Sequence, residues 1–155
     1  MGFNEYEKFD AIGLAELIKK KEVSPLEVIE SCIDRINERN PKLNAVIASN
    51  YDQAYESIKK TIPEGPLGGV PFLLKDLNTH CVGMPATNGC AAFKDFYPKQ
   101  DSILVSRYKA GGLVILGKTN TPELGLNIST EPNLFGPTRN PVSYTHLTLP
   151  TICSV

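Results

Sequence analysis

Two short aliphatic runs set what this chain can become. Residues 70–74 read VPFLL and residues 113–116 read LVIL, and neither alternates apolar with polar side chains. A strand covered on both faces has that pattern, and parallel sheets packed between helices are where such strands occur. Between the runs, Ile103, Leu104, Val105 and Tyr108 fall at helical spacing, with Asp101 as the cap and Gly111-Gly112 as the stop. Strand, helix, strand in that order predicts a right-handed crossover. The fold class is therefore α/β: N-terminal helices, then strands of a mixed, largely parallel sheet with covering helices.

The first third supplies the helices. Residues 11–21 place Ile12, Ala15, Leu17 and Ile18 on one face, and Lys19-Lys20-Lys21 reads as a solvated helix end, where cations oppose the helix dipole. Ser24-Pro25-Leu26-Glu27 is a capping box with proline at the first helical position. The helix it opens carries Val28, Ile29, Cys32, Ile33 and Ile36 as its apolar stripe and should stop at Asn40, before Pro41. Cys32 in that stripe reads as a packed thiol rather than a nucleophile. A weaker helix follows over residues 52–60, and residues 63–69 (PEGPLGG) form a loop by composition.

Composition excludes several function classes. Sixteen Lys and Arg against 17 Asp and Glu give a net charge of -1, with no basic patch to bind nucleic acid. The N-terminus lacks a basic segment leading into an apolar core, which predicts no secretory signal, and Tyr6 stands where a myristoylation signal needs Ser or Thr. No run approaches membrane-spanning length. Cys32, Cys81, Cys90 and Cys153 show no paired spacing, and His80 and His146 are the two histidines. Reduced cytoplasmic thiols with no metal site follow.

Residues 112–119, GLVILGKT, fit the pattern of a phosphate-binding loop. The physics is against it: such a loop follows its strand and opens a helix, whereas here the four intervening residues are the strand, and Asn120-Thr121-Pro122 is a turn.

The run VPFLL ends on Lys75-Asp76. An ammonium there is either at an exposed lip, paired with Asp76 in solvent, or chemically useful, because burying it unpaired is costly. Three stretches bear on that choice: GPLGGVPFLLKDL (65–77), AGGLVILGKTNTPELG (110–125) and STEPNLFGPTRNP (129–141). In this order and spacing, the chain from about residue 11 to 141 resembles the N-terminal part of the amidase signature family. The wording is closer to general amidases than to the A subunit of the tRNA-dependent amidotransferases, which share the family.

The resemblance implies an incomplete amidase signature fold and a Ser-Ser-Lys hydrolase of carbon–nitrogen bonds, cytoplasmic, with no metal or organic cofactor. Lys75 takes the position of the catalytic lysine. A serine hydroxyl needs a base to become a nucleophile. An amine serves only when neutral, and an apolar setting such as VPFLL disfavours its charged form. A bridging serine passes the proton, and amides of a Gly-rich segment hold the oxyanion. Gly125, Asn127, Ser129 and Thr130 approach the substrate by the same resemblance; ordinary loop hydrogen bonding is the plain alternative for Asn127 and Ser129. Lys118 has no part in the catalytic triad and reads as structural, and Arg139-Asn140 anchors the loop. The partner implied is a small linear or cyclic amide, with no membrane, no nucleic acid and a homodimer left open. The rival reading, the A subunit of an aspartyl- or glutamyl-tRNA amidotransferase, brings a tRNA complex and a B subunit. A non-catalytic binding fragment is a further alternative.

The family pattern continues into a Gly-Gly-Ser-Ser-Gly-Gly segment that this sequence does not contain. Residues 142–151, VSYTHLTLPT, can instead be spelled codon by codon as read-through of a common transposase-based sequencing adapter. The expected organisation is one partial domain over residues 1–141 and a non-native tail over 142–155. The Ser143-Tyr144-Thr145-His146 cluster and Cys153 then carry no function, and the 155-residue chain, holding only the lysine of the triad, is expected to be inactive alone. Amplification across codon 141 from source DNA, read on both strands without adapter chemistry, is expected to return a different continuation; recovery of VSYTHLTLPTICSV and a stop codon would make the tail genuine.

Overall fold

A computed structural model describes residue 3, residues 5–60 and residues 62–140. The expected boundary at 141 and the tail lie outside the described residues. Four α-helices and three strands follow in the order α1 (Ala11–Lys19), α2 (Pro25–Leu43), β1 (Val46–Ser49), α3 (Tyr51–Lys60), β2 (Pro71–Lys75), α4 (Ile103–Ala110) and β3 (Val114–Thr119). The sheet order is β1-β3-β2, with β2 parallel and β1 antiparallel to the central β3.

Local chemistry explains most boundaries. Asp10 caps α1 by accepting from the Gly13 N–H at 2.7 Å. The α1 stripe is Leu14 and Ile18, one turn apart, and not the face through Ile12, which is 65% exposed. Two buried positions are enough for so short a helix, and the three lysines at its end are exposed as expected. The capping box of α2 is complete: Ser24 Oγ accepts from the Glu27 N–H at 3.2 Å, and Glu27 accepts from the Ser24 N–H at 2.9 Å. Val28, Ile29 and Ile33 of its stripe are buried.

Two helix boundaries are corrected and one strand is added. Helix α2 runs through Pro41 to Leu43. A proline removes one backbone bond, but this one stands in the last turn, which Asn44 closes in a left-handed conformation with its N–H on the Asn40 carbonyl at 2.7 Å. The cap of α4 is Ser102, not Asp101; Asp101 accepts instead from the Val82 N–H and from Lys109. Strand β1 has no counterpart in the sequence reading. It is four residues at a sheet edge, three half-buried and Ser49 exposed, too short for a periodic signal. Its antiparallel pairing makes the sheet evenly mixed among the described residues.

The core forms on both sides of β3. Val114 and Leu116 pack with Ile29 and Ile33 of α2 and Ala54 of α3. Ile115 packs with Leu74 of β2, Val105 of α4, Cys81 and Met84. Leu14, Ile18, Val23, Val28, Val70 and Leu113 close the end where α1 meets the sheet. Coverage on both sides is what the unalternating run of β3 predicts. Gly117 interrupts that run for a steric reason: a Cβ there would sit 2.4 Å from the Ala48 carbonyl oxygen of β1.

Strand β3 also extends beyond residue 116 to take in Gly117, Lys118 and Thr119. Residues 114–119 are thus strand and not a phosphate-wrapping loop.

The packing makes a chemical forecast. Cys81 is 1% exposed, and burial pushes its thiol above the ordinary range, against the pull of the nearby Lys109 and Lys118 ammoniums. Because the thiolate is the reactive form, Cys81 should resist iodoacetamide at neutral pH in the native chain and react on unfolding. Rapid native labelling, read by peptide mass spectrometry, would contradict the packing. The capping box carries a second forecast. Hydrogen bonds from the Ser24 side chain and then its backbone hold the Glu27 carboxyl below its usual range. Its contribution is therefore present above the ordinary glutamate range near pH ~4 and lost as the pH falls through the lower folded value. Relative to wild type, Glu27→Gln should lower Tm at neutral pH and converge with it in acid.

Candidate active site

The carboxyl ends of the parallel strands β2 and β3 lie side by side, with Leu74 opposite Lys118 and Lys75 opposite Thr119. Lysine ends one strand and nearly ends the other. Their environments are opposite. Lys75 is exposed, while Lys118 is 0% exposed.

Strand geometry decides this. Successive side chains point to opposite faces, so Leu74 and Asp76 share one face and Leu73 and Lys75 the other; Leu74 and Asp76 are each 1% exposed, while Lys75, the last residue of β2, is exposed. Asp76 therefore does not pair with its neighbour in solvent. It accepts from Lys118 Nζ at 3.0 Å inside the protein. Two more donors complete its shell: the Thr87 N–H, at 3.2 Å from both carboxylate oxygens, and the Thr87 hydroxyl. That hydroxyl in turn accepts from the Gly89 N–H at 3.0 Å. A buried charge pair supplied with further hydrogen bonds is the arrangement that low dielectric demands.

Lys75 is fixed through its main chain. Its carbonyl accepts from the Thr79 hydroxyl, and the next N–H, of Asp76, donates to the Thr119 carbonyl at 3.0 Å. The ammonium stands at the open end of the sheet. The apolar enclosure that a neutral lysine requires is not built around it by the described residues: Leu74 faces the core beneath, and Lys75 faces away.

The other predicted residues sit on the loop after β3. Gly125 is exposed at φ +71°, a conformation that suits glycine, and a Cβ there would lie 2.7 Å from Leu77 Cδ2. This brings the loop against the residue two places after Lys75. Asn127 is exposed and its Oδ1 accepts from the Ile128 N–H at 2.8 Å, the ordinary loop bonding set beside its functional reading. Ser129 and Thr130 are half-buried, and the Thr130 carbonyl accepts from the Thr138 N–H at 2.8 Å. The structure does not bring these four into hydrogen-bonding contact with Lys75. The third stretch is tied down further along. Asn120 Nδ2 donates to the Gly136 carbonyl at 3.1 Å and to Thr138 Oγ1 at 3.0 Å. The Arg139 N–H donates to the Leu43 carbonyl at 2.8 Å. Arg139 anchors its loop, as expected, through its main chain.

Sequence reasoning missed Thr87 and Asn88. Asn88 Oδ1 accepts from the Asn78 N–H at 2.9 Å, and its carbonyl accepts from the Leu124 N–H at 2.8 Å. No local pattern marks either residue, because their partners lie far off in the chain. The signal for Lys118 was present: a charge within a buried strand requires a counter-charge, and Asp76 ends the neighbouring run.

Among the described residues no three His, Cys, Asp or Glu side chains are grouped to hold a metal ion, and no helix is long and apolar enough to cross a membrane.

Residues 27–148 match the family model described as Amidase. The chain is 40% identical over 134 residues to the 6-aminohexanoate-cyclic-dimer hydrolase of Paenarthrobacter ureafaciens, covering 85% of this chain and 27% of that protein. It is 40% identical over 128 residues to the A subunit of the glutamyl-tRNA(Gln) amidotransferase of Methylacidiphilum infernorum, covering 83% of this chain and 26% of the relative. A solved structure of 6-aminohexanoate cyclic dimer hydrolase complexed with substrate superposes at a TM-score of 0.84 and 37% identity, over 91% of this chain and 29% of the other. The chain thus spans little more than a quarter of the length of the relatives it matches.

Breaking the buried pair should be costly. Asp76→Asn or Lys118→Met leaves one uncompensated polar or charged group inside and should destabilise by about 3–5 kcal/mol. The double replacement should cost less than the sum of the two, measured as a double-mutant cycle in urea. Additive losses would show that the two side chains are not coupled.

Proposed function

This chain belongs to the amidase family, and on that footing we propose that it is the N-terminal part of a cytoplasmic amidase cleaving short linear or cyclic amides, with Lys75 as the general base of a Ser-Ser-Lys triad. The observation that carries this reading is the position of Lys75: a lysine at the open carboxyl end of a parallel strand, inside the family match, with its backbone fixed and its amine available to solvent. The carboxyl ends of parallel strands are where open α/β sheets place their chemistry.

In the proposed reaction the neutral Lys75 Nζ takes a proton, relayed by a bridging serine, from the nucleophilic serine. The serine oxygen attacks the amide carbonyl, and backbone amides hold the oxyanion. The relayed proton returns to the leaving nitrogen as the carbon–nitrogen bond breaks. Water then attacks the acyl-enzyme through the same relay and releases the acid. The bridging serine belongs to the Gly-Gly-Ser-Ser-Gly-Gly segment and the nucleophile follows further on, in a part of the family pattern that this sequence does not contain. That segment would also supply the apolar cover that Lys75 lacks here. Gly125, Asn127, Ser129 and Thr130 line the substrate approach in this reading.

A second reading is favoured by one observation: the amidotransferase relative matches at the same 40% identity as the cyclic-dimer hydrolase. Under it the amide donor is glutamine, and the ammonia passes to a tRNA-bound acyl group.

The test is the enzyme expressed from the reading frame recovered across codon 141. It should hydrolyse small linear or cyclic amides, and Lys75→Met should lower kcat about 10²- to 10⁴-fold, the usual contribution of a positioned base. The 155-residue chain should show no hydrolysis. An active Lys75→Met enzyme would sink the assignment; glutamine hydrolysis that rises when a B subunit is added would select the second reading.

A further inference from the structure

Beside the residues that the family resemblance assigns to the reaction stands a buried, hydrogen-bonded polar cluster of Asp76, Thr87 and Lys118. All three side chains are 1% exposed or less. They hold a charge pair that the reaction does not use. A buried pair of this kind is often no more stabilising than an apolar replacement. Its location is therefore the informative feature: Asp76 is the residue covalently attached to Lys75.

We infer that Asp76, clamped by Lys118 and the Thr87 hydroxyl, is the positioning residue that sets where Lys75 presents its amine. Three connections meet at this point. The Asp76 carboxylate binds Lys118 on β3 and Thr87 on the loop before α4. The Asp76 N–H and the Lys75 carbonyl are held by Thr119 and Thr79 respectively. Asn88, next to Thr87, accepts from Asn78 with its side chain and from Leu124 with its carbonyl, so the loop carrying Gly125 is registered to the same turn. The backbone on both sides of Lys75 is thus hydrogen-bonded, and the residue that follows it is anchored through its side chain in the buried pair. An exposed lysine side chain has none of this restraint of its own, and a base must be held to within a fraction of an ångström to act.

This inference rests on Lys75 being the base, and the test separates the two. Amide hydrogen exchange of the 155-residue chain is compared for wild type, Thr87→Val and Thr87→Ser. The valine removes the hydroxyl at nearly constant volume; the serine keeps it. We expect Thr87→Val to speed exchange at the Asp76 and Gly89 amides by about tenfold or more, with helix α2 amides such as Ile33 unchanged, and Thr87→Ser to restore wild-type rates. The double variant Asp76→Asn with Lys118→Met, which carries no buried charge, should show the same local release around residues 75–79. Acceleration confined to Gly89, or spread equally through α2, overturns the inference, since the cluster then holds only its loop or supports overall stability. In the enzyme expressed from the recovered frame, Thr87→Val should lower kcat on the order of tenfold with KM unchanged, and Thr87→Ser should recover it. An active Lys75→Met enzyme refutes the base; a Thr87→Val enzyme with wild-type kcat refutes the positioning.

Discussion

The carboxylate of Asp76, buried against the Lys118 ammonium at 3.0 Å, is the interaction that ties together the carboxyl ends of β2 and β3 and the loop carrying Thr87. Charges taken out of water must be paired and hydrogen-bonded, and here three parts of the chain supply the partners. Lys118 comes from the central strand, Thr87 from the long connection before α4, and Asp76 from the end of β2. One ionic contact and its hydrogen bonds thus join Asp76 to partners 11 and 42 positions away.

The two lysines show how a sheet sorts identical side chains into different tasks. Both follow aliphatic runs. Lys118 continues the inward face of a strand covered on both sides, so it must be paired. Lys75 shares its face with Leu73, which packs against the α2–α3 side of the core, but it is the last residue of β2 and is exposed. The proposed base and the structural lysine are distinguished by place, the one ending its strand in solvent and the other lying within the covered central strand, and not by residue type.

The rest of the architecture serves this edge. Helices α2 and α3 cover Val114 and Leu116, and α4 covers Ile115, which leaves the strand ends as the open part of the sheet. The loop after β3 is fastened by Asn120, Thr138 and Arg139 to the end of α2, which keeps residues 123–130 over the turn that follows Lys75. The extension of α2 through Pro41 matters here, because it carries Leu43 and Asn44 to the positions that receive this loop.

The sequence by itself determined the helices with explicit caps, the two unalternating strands and the α/β class, because capping boxes, glycine stops and aliphatic runs act within a few residues of where they are read; the family was legible through the resemblance carried by residues 65–77, 110–125 and 129–141. The same local reasons discarded the apparent phosphate-binding loop, while Lys75 was brought forward by the resemblance and not by its local setting, which fits an exposed strand-end lysine equally. Tertiary structure alone decided that Asp76 turns inward to Lys118 and not outward to Lys75. It also decided that Thr87 and Asn88 tie the two loops together and that a short, half-exposed segment becomes the edge strand β1. Each of these depends on a partner distant in the chain. A hydrogen bond or ion pair across tens of residues leaves no periodicity behind, and only the closed sheet brings its two ends within reach.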